Sequence, residues 1–221
     1  MRKIMFNDRC GLTELVLKGV KTMTRRIESG VRIHGNPACE LVHSVLETHK
    51  SCNADRSKIS IGEDIQIEIC TRYRIGELVA VAQSYHGIFL SENLHPEVGS
   101  KVWEQIESKH PGSNNKMFVD AGLMPYGVRI KDIKIERLQD ITDGDCVKEG
   151  IIKVLDSFYY FEDGENGCYF DTPREAFAAL IDKTSGKGTW DSNPWVVVYE
   201  FGKEDCYGGK GKEELREGMD G

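Results

Sequence analysis

Apolar residues recur along this chain at two spacings, and each spacing predicts a different kind of element. Leu12, Leu15 and Val16 fall three and four residues apart, which predicts a helix over Asp8–Lys18 closed by Gly19. Strict alternation at Ile65, Ile67 and Ile69 predicts a strand over Asp64–Cys70, and the run Leu78-Val79-Ala80-Val81-Ala82 after Gly76 predicts another over Glu77–Tyr85. Val128, Ile130, Ile133 and Ile135 alternate across Gly127–Leu138 except for a one-residue slip, the mark of a bulge. The block Trp195-Val196-Val197-Val198-Tyr199 reads as a buried final strand within Pro194–Phe201. Further helices are predicted over Cys39–His49, Leu94–Lys109 and Thr142–Glu149, and over Pro173–Lys183, where Thr172-Pro173-Arg174-Glu175 is a capping box. An opening strand at Lys3–Phe6 and a hairpin from Ile151–Phe161 to Gly167–Phe170 complete the pattern.

Strands separated by irregular helices, without regular β-α-β alternation, indicate an α+β fold around a small mixed or antiparallel barrel flanked by helices. We expect a single domain over residues 1–201, with an insertion at about 36–60 and a disordered Gly-, Lys- and Glu-rich tail at 202–221. The seven cysteines are odd in number and scattered, so they are read as reduced thiols. There is neither an apolar stretch of membrane-span length nor a secretory leader pattern, and a cytoplasmic protein without a membrane partner is expected. A net charge of −7 argues against indiscriminate coating of nucleic acid, although basic residues outnumber acidic ones near the amino terminus. Such a protein can still hold a phosphate-bearing ligand locally.

The densest chemistry lies in Gly19-Val20-Lys21-Thr22-Met23-Thr24-Arg25-Arg26, where an amine, two hydroxyls and two guanidinium groups follow a helix-ending glycine. The segment reads as extended, which places Thr22, Thr24 and Arg26 on one face and Lys21, Met23 and Arg25 on the other. Bringing Lys21 and Thr24 to one ligand then requires twist, a bulge or a loop. The competing reading is a solvated edge strand whose charges discourage aggregation.

This segment resembles the signature of the ASCH (activating-signal-cointegrator homology) domain family, with Gly19, Lys21, Thr24 and Arg26 at its matching positions. Ile75-Gly76-Glu77-Leu78-Val79-Ala80-Val81 is similar to the family's glycine-led second barrel strand. Ile141-Thr142-Asp143-Gly144-Asp145-Cys146-Val147-Lys148-Glu149-Gly150 is similar to its short helix ending in Glu-Gly. The resemblance implies a PUA-like β-barrel with a cleft for RNA or a modified base. A small bacterial subgroup, the acetylcytidine amidohydrolases, uses a lysine, a threonine and a glutamate, and Lys21, Thr24 and Glu149 stand at the matching places.

Two functions follow as expectations. The first is an RNA- or modified-nucleoside-binding domain, with Gly19, Thr22, Arg25, Arg26 and Trp190 as ligand contacts. The second is an amidohydrolase with Lys21, Thr24 and Glu149 as catalytic residues. In the latter, either Thr24 attacks with a neutral Lys21 as base, or a charged Lys21 stabilises the oxyanion while Glu149 activates water. No cofactor is expected. Cys39, His43, His49 and Cys52 form a soft-ligand set, but they lack paired zinc-binding spacing, so no bound metal is expected.

Overall fold

The computed structural model describes residues 1–35, 37–51, 57–61, 65–91, 94–155, 158–161 and 167–206. In chain order the elements are β1 (Lys3–Ile4), α1 (Leu12–Leu17), β2 (Met23–Arg26), β3 (Val31–His34), α2 (Cys39–Ser51), β4 (Ser57–Ile61), β5 (Ile65–Ile69) and β6 (Leu78–Val81). There follow α3 (Tyr85–Phe89), α4 (Pro96–Glu107), three short 3-10 turns within 111–123, β7 (Tyr126–Arg137) and α5 (Asp143–Lys148). The chain continues through β8 (Ile152–Leu155), β9 (Phe158–Phe161), β10 (Cys168–Phe170), α6 (Pro173–Ser185), α7 (Thr189–Ser192) and β11 (Trp195–Asp205). The fold is α+β.

The main sheet has the order β1-β6-β7-β11-β2, with β1 parallel to β6 and every other neighbour antiparallel. Strand β11 lies between the long β7 and the short β2, and Val196, Val197, Val198 and Tyr199 are all buried. Burial of successive residues, which point to opposite faces, explains why this strand reads as a continuous apolar run rather than an alternation. Opposite it, Glu200 pairs with Asp132 and Phe201 with Ile130, leaving Lys131 as the extra residue of a bulge. The slip in the apolar pattern of β7 has this cause.

Two smaller sheets, β3-β5-β4 and β10-β9-β8, flank the main one. The sequence pattern predicts neither β3 nor β4. The expected single strand over Ile151–Phe161 is two strands, β8 and β9. Strand β11 also runs past the expected start of the tail at 202, because Lys203, Glu204 and Asp205 pair with Val128, Gly127 and Tyr126. Helix α2, within the insertion, buries Val42, Val45 and Leu46 in the same core as Met23, Ile135 and Phe201. A second cluster under α3 and α4 contains Tyr85, Ile88, Val102 and Met124. No helix among the described residues is long and apolar enough to cross a membrane.

Candidate functional site

A cavity of about 420 Å³ opens beside β2, between the segment after β1, the end of α5 and one face of α6. Its apolar wall includes Phe6, Phe177, Leu180 and Ile181, and its polar wall includes Lys21, Thr24, Arg25, Arg26, Glu28 and Glu149. Pockets of this size that combine an apolar lining with a few fixed polar groups are typical small-ligand sites.

Local structure explains how Lys21 arrives there. Gly19 ends α1 in a left-handed conformation at φ 74°, and the N–H groups of Val20 and Lys21 both donate to the carbonyl of Leu15. Because β2 begins only at Met23, Lys21 escapes the strand alternation that would have turned it away from Thr24. Thr24 itself lies opposite Tyr199 of β11. Glu149 caps the other side. Thr142 starts α5 by accepting from the Asp145 N–H, and the chain leaves the helix through Gly150 at φ 106°.

Lys21 and Glu149 are 2% and 4% exposed, so their contact is a buried ion pair. Lys21 Nζ donates to Glu149 Oε2 at 2.7 Å and to the Glu149 carbonyl at 2.5 Å. Burial pushes the Lys21 pKa below its ordinary value, and the nearby Arg26 and Arg25 act in the same direction against the pull of Glu149. Arg25 anchors the same carboxylate, donating to Glu149 Oε1 at 3.2 Å, Glu136 Oε1 at 2.6 Å and Asp145 Oδ2 at 3.1 Å. Burial acts to lower the Arg25 pKa, but Glu149 and Glu136 together hold it above the ordinary arginine value.

Arg26 takes a different path. Its guanidinium donates to the Met5 carbonyl at 2.7 Å, and its buried Nε has no hydrogen-bond partner among the described residues. Glu28 lies at the rim, accepting from the Arg72 N–H at 3.0 Å and from the Tyr199 hydroxyl at 2.9 Å. Burial raises the Glu28 pKa despite those hydrogen bonds and the nearby Arg26 and Arg72.

The structure therefore brings Lys21, Thr24, Glu149, Arg25 and Arg26 to one cavity. It does not bring the other three expected contacts there. Gly19 acts in the backbone turn that ends α1 and does not line the cavity. Thr22 uses its backbone to bind Lys148 and Phe201, and it too lies off the cavity wall. Trp190 packs edge-on against Phe177 at 6.2 Å with the Arg174 guanidinium over its ring at 5.1 Å, so it belongs to the support of α6. Sequence reasoning overlooked Glu28 and Arg72. Arg72 sits in the short connection between β5 and β6, where only its charge could have drawn attention.

Of the soft-ligand set, Cys52 lies outside the described residues. Among the described residues no group of three or more potential metal ligands occurs. Compared with known protein families, curated proteins and solved structures, the chain matches none.

Proposed function

We propose that the protein takes a modified nucleoside, free or within RNA, into the cavity beside β2 and hydrolyses an acyl amide on it. The observation that carries this reading is the buried Lys21–Glu149 pair at 2.7 Å, which lines one cavity together with Thr24. Burying such a pair is a poor route to stability, and buried ionisable groups with shifted pKa values in a cleft are enriched at sites of chemistry. The substrate class, an acetylated cytosine nucleoside, is drawn from the resemblance to the ASCH family. We also infer a PUA-like barrel. In support, Arg26 on one edge strand reaches the Met5 carbonyl just beyond the opposite edge strand.

In this reading Lys21 first passes a proton to Glu149 Oε2 along their 2.7 Å hydrogen bond, and the neutral Nζ then takes the Thr24 hydroxyl proton as Oγ1 attacks the acyl carbonyl carbon and the new C–O bond forms. The lowered Lys21 pKa favours that role, while Arg25 fixes the position of the Glu149 carboxylate by donating to Oε1. The C–N bond then breaks, and the nucleoside amine leaves with the proton relayed from Lys21 through Glu149. Water hydrolyses the acyl-threonine, so one water is consumed and one carboxylic acid is released per amide.

A second reading is a binding module without turnover. It is favoured by the double anchoring of Lys21 to the carboxylate and the carbonyl of Glu149, which ties up an ammonium group. Incubation with acetylcytidine, following acetate release, separates the two. The wild type is expected to release acetate, and Thr24→Ala and Lys21→Ala are each expected to abolish release while keeping the native circular dichroism spectrum. Release that survives either substitution removes the hydrolytic reading. Saturable acetylcytidine binding without release leaves the binding module.

A further inference from the structure

A second cavity of about 530 Å³ adjoins the first and shares Met5, Arg26 and Arg72 with it. Its remaining lining is Arg2, Lys3, Tyr73 and Met117, so that among the described residues four cationic ones line it and no acidic one does. In a chain of net charge −7 this is a local concentration of positive charge, and it lies directly beside the Lys21–Glu149 site.

The four cations are not equally committed. Lys3 spends its ammonium on the carbonyls of Lys116, Met117 and Val119. Arg2 is tied to Glu77 at 2.7 Å and to the Arg72 carbonyl. Arg26 leaves its buried Nε without a partner, and the Arg72 guanidinium forms no ion pair or side-chain hydrogen bond among the described residues, lying 6.0 Å from the Tyr73 ring centroid. Yet the Arg72 backbone is firmly placed: its N–H donates to Glu28 and to the Tyr199 hydroxyl, each at 3.0 Å. A fixed backbone presenting a guanidinium that holds no ion pair among the described residues, next to that of Arg26, suits an oxyanion even with the Glu28 carboxylate nearby.

We propose that this second cavity is a phosphate subsite, so that the ligand is a phosphorylated nucleoside whose base occupies the first cavity and whose phosphate is held by Arg26 and Arg72. The inference rests on the nucleoside reading of the first cavity for what lies next door, but the anion chemistry of the second cavity stands on its own residues. A mononucleotide and an RNA residue share that chemistry.

Equilibrium binding of cytidine, cytidine 5′-monophosphate, inorganic phosphate and a short single-stranded RNA tests it, using the full chain at low salt. We expect the monophosphate to bind at least about tenfold tighter than cytidine, as charge-assisted hydrogen bonds to phosphate allow. That ratio should fall to about one in Arg72→Gln, recover in part in Arg72→Lys, and shrink with added salt. RNA that displaces the monophosphate in an Arg72-dependent manner identifies RNA as the source of the phosphate, and failure to displace it identifies a free nucleotide. Phosphate binding that depends on Arg72, with cytidine not bound at all, supports the subsite and sinks the nucleoside reading. Equal affinities for cytidine and its monophosphate, or a ratio unchanged in Arg72→Gln, overturn the proposal.

Discussion

Arg25 and Arg26 stand next to each other in the chain, and strand alternation sends them to different neighbours. Arg25 enters a nest of three carboxylates, Glu136, Asp145 and Glu149, whereas Arg26 meets a carbonyl and open cavity. The sequence made the alternation legible, but the carboxylates come from β7 and α5, more than a hundred residues away, and no local pattern announces them. The same distance separates Lys21 from Glu149, whose convergence was foreseen only through the family resemblance. An aromatic residue such as Trp190 suits both ligand stacking and helix support, and in the fold it packs on Phe177 beneath the Arg174 guanidinium. A stability prediction follows from the carboxylate nest. Arg25→Met leaves three carboxylates facing one another without their shared cation and should cost about 3–5 kcal/mol. Lys21→Met should cost clearly less, because Glu149 keeps Arg25 as a partner. Urea denaturation of both variants at neutral pH checks the order, and a larger loss in Lys21→Met contradicts it.

Elements with a strong local signal were readable: α6 starts at Pro173 with Thr172 accepting from the Glu175 N–H, α5 follows Thr142, and the bulge of β7 falls where the apolar alternation slips. Strands β3 and β4 were not. Each is only four or five residues long, β3 alternates between half-buried and exposed positions, and both are held by backbone pairing to β5. Pairing of that kind depends on a partner strand and leaves little trace in composition. The turn after α5 is where an element acts on the site. A Cβ on Gly150 would lie 3.1 Å from Leu15 and 3.6 Å from the Lys21 side chain, in a backbone conformation at φ 106° that side chains disfavour. Gly150→Ala should therefore cost on the order of 1–3 kcal/mol and depress acetate release by displacing Glu149 and Lys21. Gly19 makes the control. Its φ of 74° is also positive, but nothing lies within 4 Å, so Gly19→Ala should lose only about 1–2 kcal/mol and leave release per folded molecule intact. Denaturation midpoints with acetate assays on both variants decide this, and equal loss of release in the two contradicts it.

For the whole molecule, the α+β class followed from the order of strands and helices, while the arrangement of three sheets around one main core did not. The expected insertion at about 36–60 contributes α2 to the fold. Helix α2 packs Val42, Val45 and Leu46 into the core, and none of its described residues lines either cavity. Within an overall charge of −7 the fold gathers Arg2, Lys3 from β1, Arg26 from β2 and Arg72 from a distant connection at one opening. A ligand is therefore expected to lie with its reactive amide beside Lys21. A crystal structure of Thr24→Ala with acetylcytidine bound tests that claim most directly. The acetyl group is expected in the cavity beside β2, with its amide within hydrogen-bond reach of Lys21 Nζ, about 3 Å, or one water away. Acetylcytidine bound elsewhere, with the Lys21–Glu149 cavity vacant, would contradict it.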